Sequence, residues 1–167
     1  MDTILNQIGH AVNKGFPYLA VVSALTLPEI CAALESGDGR GGDKKYIAWY
    51  DKWAAPKFPM VRGFDMYRLR CGVIHQGRLG PDGMQYDRIV FTGGGRMHGC
   101  MSQGNFGIEE SALQLDSAEF CYGMIRSVQE WYSVMKDDSN VTANLPLLLQ
   151  YRPNGIPPHF VGIPVIA

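Results

Sequence analysis

Cysteine is scarce in this chain and never paired locally. Cys31, Cys71, Cys100 and Cys121 form no C-x-x-C unit, which excludes zinc ribbons and dithiol redox motifs. Reduced thiols in a cytoplasmic protein are the simplest reading. Net charge is nearly absent as well, at −1. No apolar run approaches the length of a membrane span. The start, Met1-Asp2-Thr3-Ile4, lacks the basic residues and apolar core of a signal peptide, so no membrane partner is expected. The glycine-rich stretch from Ser36 to Asp43 does not follow G-x-x-x-x-G-K-[ST], and no strand precedes it. It reads as a flexible loop rather than a phosphate cradle. His98 and Cys100 alternate onto one strand face, but two ligand types without a partner pair do not make a zinc site. No metal or cofactor is expected.

What is present is a folding composition. Hydrophobic residues make up 46% and charged residues 19% of 167 residues, enough for one domain over 1–167 with a sizeable core. Ile4, Leu5, Ile8 and Val12 predict a first helix over 3–14, closed by Gly15. Tyr18 to Leu25 is apolar enough for a second helix. Thr26 can cap a third that begins at Leu27 or Pro28 and buries Ile30, Cys31 and Leu34. Lys44 to Trp53 carries Tyr46, Trp49, Tyr50 and Trp53 at i, i+3, i+4 and i+7, the spacing of a core-facing stripe. Base stacking beside Lys44, Lys45 and Lys52 is the competing use of those rings.

Further on, Pro81-Asp82-Gly83 is a turn. Tyr86–Phe91 and Met97–Ser102 read as two strands of a β-hairpin, and Ala112–Leu115 as a short strand beside it. Asp116-Ser117-Ala118-Glu119 is a capping-box variant that opens a long helix. Its inner face runs through Phe120, Met124, Val128, Trp131 and Met135, and 137–140 end it. The tail from Leu145 to Ala167 holds five prolines yet is apolar. It is expected as an extended segment lying on the bundle or across a dimer interface.

Charge is segregated along the chain. Arg40 to Arg78 holds nine Lys or Arg against three Asp, while Ile108 to Asp138 holds seven acids against two bases. A basic stretch suits an RNA surface; equally, the two halves can neutralise each other across the fold. Within the basic stretch lies Met66-Tyr67-Arg68-Leu69-Arg70-Cys71-Gly72-Val73-Ile74-His75-Gln76-Gly77-Arg78. Leu69, Val73 and Ile74 give it a packing face, and Gly77 can stop the helix just past His75. A histidine can exchange a proton at neutral pH, and an arginine can hold a phosphate with two donors. That pair suits cleavage of RNA by its own 2′-hydroxyl, a reaction that does not require a metal. Arg68, Arg78, Lys44, Lys45 and Lys52 are the candidate RNA contacts.

Arg70-Cys71-Gly72-Val73-Ile74-His75, an arginine and a histidine with four residues between them, resembles the signature of the HEPN superfamily. Many members of that group of small helical bundles are metal-independent RNases of toxin–antitoxin, antiviral and RNA-processing systems. The resemblance implies a mainly α fold: a bundle of four to five helices, here with an inserted β-hairpin and a Pro-rich C-terminal segment. It implies that Arg70 and His75 are the catalytic pair of an endoribonuclease, a toxin or defence effector. It also implies a homodimer with the site at its interface, and an antitoxin partner. Cys71 stands where active members often carry a polar residue. A non-catalytic RNA-binding or protein-interaction module of the same fold is therefore the alternative.

Overall fold

The computed structural model describes residues 1–79, 83–95, 100–103 and 111–167, with the backbone alone for 100–103. The chain is mainly helical. Helix α1 spans Asp2–Asn13 and buries Leu5 and Ile8. Helix α2 spans Pro17–Glu35 without a break, with Pro28 inside it. The two helices expected here are thus one, and Thr26 caps nothing: its Oγ1 donates to the Ser23 carbonyl at 2.7 Å. Local signals for a boundary lose to burial on both sides of it. Ala24, Leu25, Leu27, Pro28, Cys31 and Leu34 are all buried, which outweighs the one backbone bond that proline removes. By length and composition α2 could also cross a membrane, although half of its most apolar window is buried inside the fold. A search for unbroken apolar runs passes over it because Ser23, Thr26 and Glu29 interrupt the run.

Helix α3 spans Asp43–Trp49, continues as one π-helical turn over Tyr50–Ala54, and tightens into a 3-10 turn over Ala55–Lys57. Tyr46, Trp49 and Tyr50 are buried, as the stripe predicts. Trp49 stands edge-on to Trp131 with ring centres 6.3 Å apart. Helix α4 spans Gly63–Gln76. Its first N–H donates to Asp51 Oδ1 at 2.7 Å. A Cβ at Gly63 would lie 2.8 Å from the Ile47 carbonyl oxygen, so glycine lets α4 start hard against α3. The buried Asp65 carboxylate accepts from Arg62 Nε at 2.8 Å and from the Gln85 backbone N–H at 2.8 Å. It thereby ties the segment after α4 back to the helix start.

The strands are β1 (Arg88–Thr92), β2 (Cys100–Gln103) and β3 (Ser111–Asp116), in the order β1-β3-β2. The hairpin expected over 86–102 does not form. β1 pairs in parallel with β3, Ile89 opposite Leu113 and Phe91 opposite Leu115, and β2 pairs antiparallel with the other edge of β3. The central strand β3 is well covered: Leu113, Leu115 and Asp116 are all buried. His98 and the turn residues Pro81 and Asp82 lie outside the described residues, as does the side chain of Cys100.

Helix α5 spans Ser117–Met135. Asp116 caps it, accepting from the Ala118 and Glu119 N–H groups at 2.9 Å each. Phe120, Cys121, Met124, Val128 and Trp131 are buried along its inner face. The helix ends at Met135, but 137–140 do not end helical structure: Asp138 caps a further helix, α6 (Ser139–Asn144). Helix α2 is the centre of the bundle, packing against α1, α3, α4, α5 and α6. The tail is not an extended segment. It folds into two small ladders: β4 (Tyr151–Arg152) with β7 (Val165–Ile166), and β5 (Gly155–Ile156) with β6 (Phe160–Val161). Backbone bonds between Gln150 and Ala167, 2.9 Å in each direction, close the base of this arm.

Candidate active site

Helix α4 presents the Arg–His pair because its end is fixed. Gly77 adopts the left-handed conformation at φ 64°, and the Gly77 and Arg78 N–H groups return to the Val73 and Gly72 carbonyls at 3.2 and 3.1 Å. Leu69 is buried, Arg70 half-buried, and His75 exposed one turn on. The five-residue offset would leave the two side chains on neighbouring faces. The length of the arginine closes that gap: Arg70 Nη1 lies 3.3 Å from His75 Nε2. An arginine can only donate. In this contact the histidine therefore accepts at Nε2.

Three further groups surround the guanidinium. Nη1 is 3.9 Å from Cys71 Sγ, and Nη2 is 3.9 Å from Glu29 Oε2, reaching across from α2. Both ends of that ion pair are largely screened from water, with 17% and 25% of the side chains exposed. Tyr46 and Tyr67 stack edge-on beside it at 5.4 Å. Burial pushes the Tyr46 hydroxyl well above its usual range, and it donates to the Leu25 carbonyl at 3.1 Å. The hydrogen bond with Cys71, and then burial, raise Tyr67. Both phenols stay protonated at neutral pH, so neither serves as a base.

The other sequence-derived candidates distribute unevenly. Arg68 sits half-buried on α4, and Arg78 is exposed just past its end, its Nε donating to Gln76 Oε1 at 2.7 Å. Lys44 is exposed on α3. Lys45 pairs with Asp38 at 2.9 Å. Lys52 lies over the Trp53 ring, 4.6 Å from its centre. Lys45 and Lys52 line a shallow depression with Glu35, Trp49 and Trp53, to which no residue of α4 contributes. The basic and acidic halves of the chain do meet at Lys57–Glu130.

Glu29 and Tyr67 are the residues that sequence reasoning missed. Tyr67 and Cys71 stand four apart on one helix, so their pairing was open to spacing. No local signal ties Glu29 to Arg70, which belongs to another helix. Behind α4 lies a cavity of about 420 Å³ between the start of α2, the end of α4 and β1; Tyr18, Val21, Val73, Leu79 and Phe91 line it, with Arg78 among them. Cys31, Cys71 and Cys121 are free thiols. Burial pushes Cys31 well up and Cys121 up to about 12, which leaves Cys71 as the described thiol beside a cation. Among the described residues no three His, Cys, Asp or Glu side chains gather as a metal ion would need. In comparisons with known proteins, no family model, no curated protein and no solved structure matches this chain.

Proposed function

We propose that this chain is a HEPN-like, metal-independent endoribonuclease that acts as a homodimer on RNA in the cytoplasm, in a toxin or defence role. The contact of 3.3 Å between Arg70 and His75 carries the reading. As Arg70 turns from the imidazole to the phosphate, His75 Nε2 is freed and takes the proton from a ribose 2′-hydroxyl, and the oxygen attacks the adjacent phosphorus. Arg70 holds the non-bridging oxygens, where negative charge grows in the transition state. The bond to the 5′-oxygen breaks, and that oxygen recovers a proton from the imidazolium or from water. The products are a 2′,3′-cyclic phosphate and a 5′-hydroxyl. Arg68 and Arg78, on and just past the same helix, steer the RNA backbone.

One observation favours the non-catalytic module of the same fold instead. Glu29 already offers Arg70 a carboxylate at 3.9 Å, and the thiol of Cys71 gives the site no strong acceptor to help orient a ribose. The deciding experiment is cleavage of total RNA in EDTA by wild type, Arg70→Ala and His75→Ala. The nuclease reading expects cleavage by wild type alone, with a loss of about a hundredfold or more in either variant. RNA binding without cleavage by any of the three would establish the module.

A further inference from the structure

The C-terminal arm is folded but uncovered. Its strands pair only with one another, and its large apolar side chains face outward. Leu147 is 82% exposed, Val161 71% and Leu149 and Ile166 70% each, with Tyr151, Phe160 and Ile163 all at half or more. Together these seven expose an area of the order that one partner gives to a standard protein interface, about 800 Å². Neighbours within a strand, such as Phe160 and Val161, point to opposite faces, so each face of the arm carries part of this area, still about the few hundred Å² that a lone chain exposes as its largest patch. The bundle carries its own uncovered apolar surface. Phe16, Tyr18 and Leu19 at the start of α2 are 57%, 70% and 58% exposed. Tyr18 lines the cavity of about 420 Å³ behind α4, whose walls are mainly apolar.

We infer that the arm of each chain seats on the α2–α4 cavity of a second copy, so that two chains exchange arms about a two-fold axis. Two arms would bury about twice the apolar area that one supplies, which is ample for a stable dimer. The charges agree with this occupant. Residues 145–167 contain no Asp or Glu and only Arg152 and His159 as basic groups, so the arm lacks the basic collar that would draw it to an anionic membrane. The cavity mouth holds one cation, Arg78, and an arm without cations beyond Arg152 and His159 meets it with little repulsion. The arm would reach the second copy beside Val73 and Gly77, which flank His75 on α4. This inference rests on the dimer in the nuclease reading but on none of its chemistry.

The experiment is sedimentation velocity of the full chain over a wide concentration range. It compares wild type with Val161→Glu/Ile163→Glu on the arm and Tyr18→Glu in the cavity lining. All three positions are exposed, so the variants keep their fold, and circular dichroism checks that. The expected result is a wild-type dimer whose dissociation constant rises roughly a hundredfold in either variant. A disulfide between Ile163→Cys of one chain and Tyr18→Cys of another, formed by mixing the two single-cysteine additions, would place the arm directly. A monomeric wild type, or a dimer that both glutamate variants leave intact, overturns the inference. So does a monomer whose arm instead binds neutral phosphatidylcholine vesicles. Cleavage assays read the nuclease proposal separately: an inactive dimer sustains the arm exchange, and an active monomer rejects it.

Discussion

At the scale of single residues, the candidate site is a contest for one guanidinium. Arg70 is within reach of His75, Cys71 and Glu29, and a phosphate would have to draw it away from the carboxylate. Glu29→Gln keeps the shape and removes the charge. It should tighten RNA binding about two- to fivefold, the worth of one partly screened pair, measured by fluorescence anisotropy at fixed salt. Unchanged or weaker binding would mean that Glu29 positions the arginine rather than opposing the phosphate. A second residue-scale case concerns the core. A Cβ at Gly123 would collide with the buried ring of Phe58. Helix propensity favours alanine there by about 1 kcal/mol, but overpacking costs about 1–3 kcal/mol. Gly123→Ala should lower stability by up to about 2 kcal/mol in urea unfolding, and a stabilised variant would show that the ring has room to move.

At the scale of elements, caps decide where helices begin. Asp116 accepts from Ala118, Glu119 and the Gly95 backbone N–H, the last at 2.7 Å, so it joins the start of α5 to the turn after β1. Asp116→Ala should cost about 2 kcal/mol, the upper end for a lost cap, with the loss read from chemical denaturation. Asp116→Asn should recover most of it. A cost below about 0.5 kcal/mol would assign α5 its boundary by packing alone. The elements also separate what was legible in the sequence from what was not. α1, α4 and α5 are legible because an apolar period and a stop or cap lie within a few residues of each other: Gly77 closes α4, and Asp116 opens α5. The Arg70–His75 approach is legible for the same reason, since both sit on one helix. The strand order is not, because β1 pairs with β3 past β2, which intervenes in the chain, a non-local match that no window of sequence contains. α2 is misread for a related cause: Thr26 and Pro28 are valid boundary signals that tertiary burial overrides. The arm hides because strands of two residues are too short to show a period.

At the scale of the whole molecule, the helices share one partner. α2 touches each of the other five α-helices, so removing any one of them uncovers part of the same buried surface. Backbone amides in such an arrangement should open together. Hydrogen–deuterium exchange should find the slowest amides of the protein in the buried half of α2, near Leu25 and Cys31, with rates set by global unfolding. Amides of α1, α4 and α5 should follow them closely, and the β4–β7 and β5–β6 ladders should exchange orders of magnitude sooner at high dilution. A graded spread of rates across the helices would deny α2 this role. The central placement of α2 thus bears on how the protein comes apart: the bundle has no weak first step, and a denaturant must dismantle it in a single event.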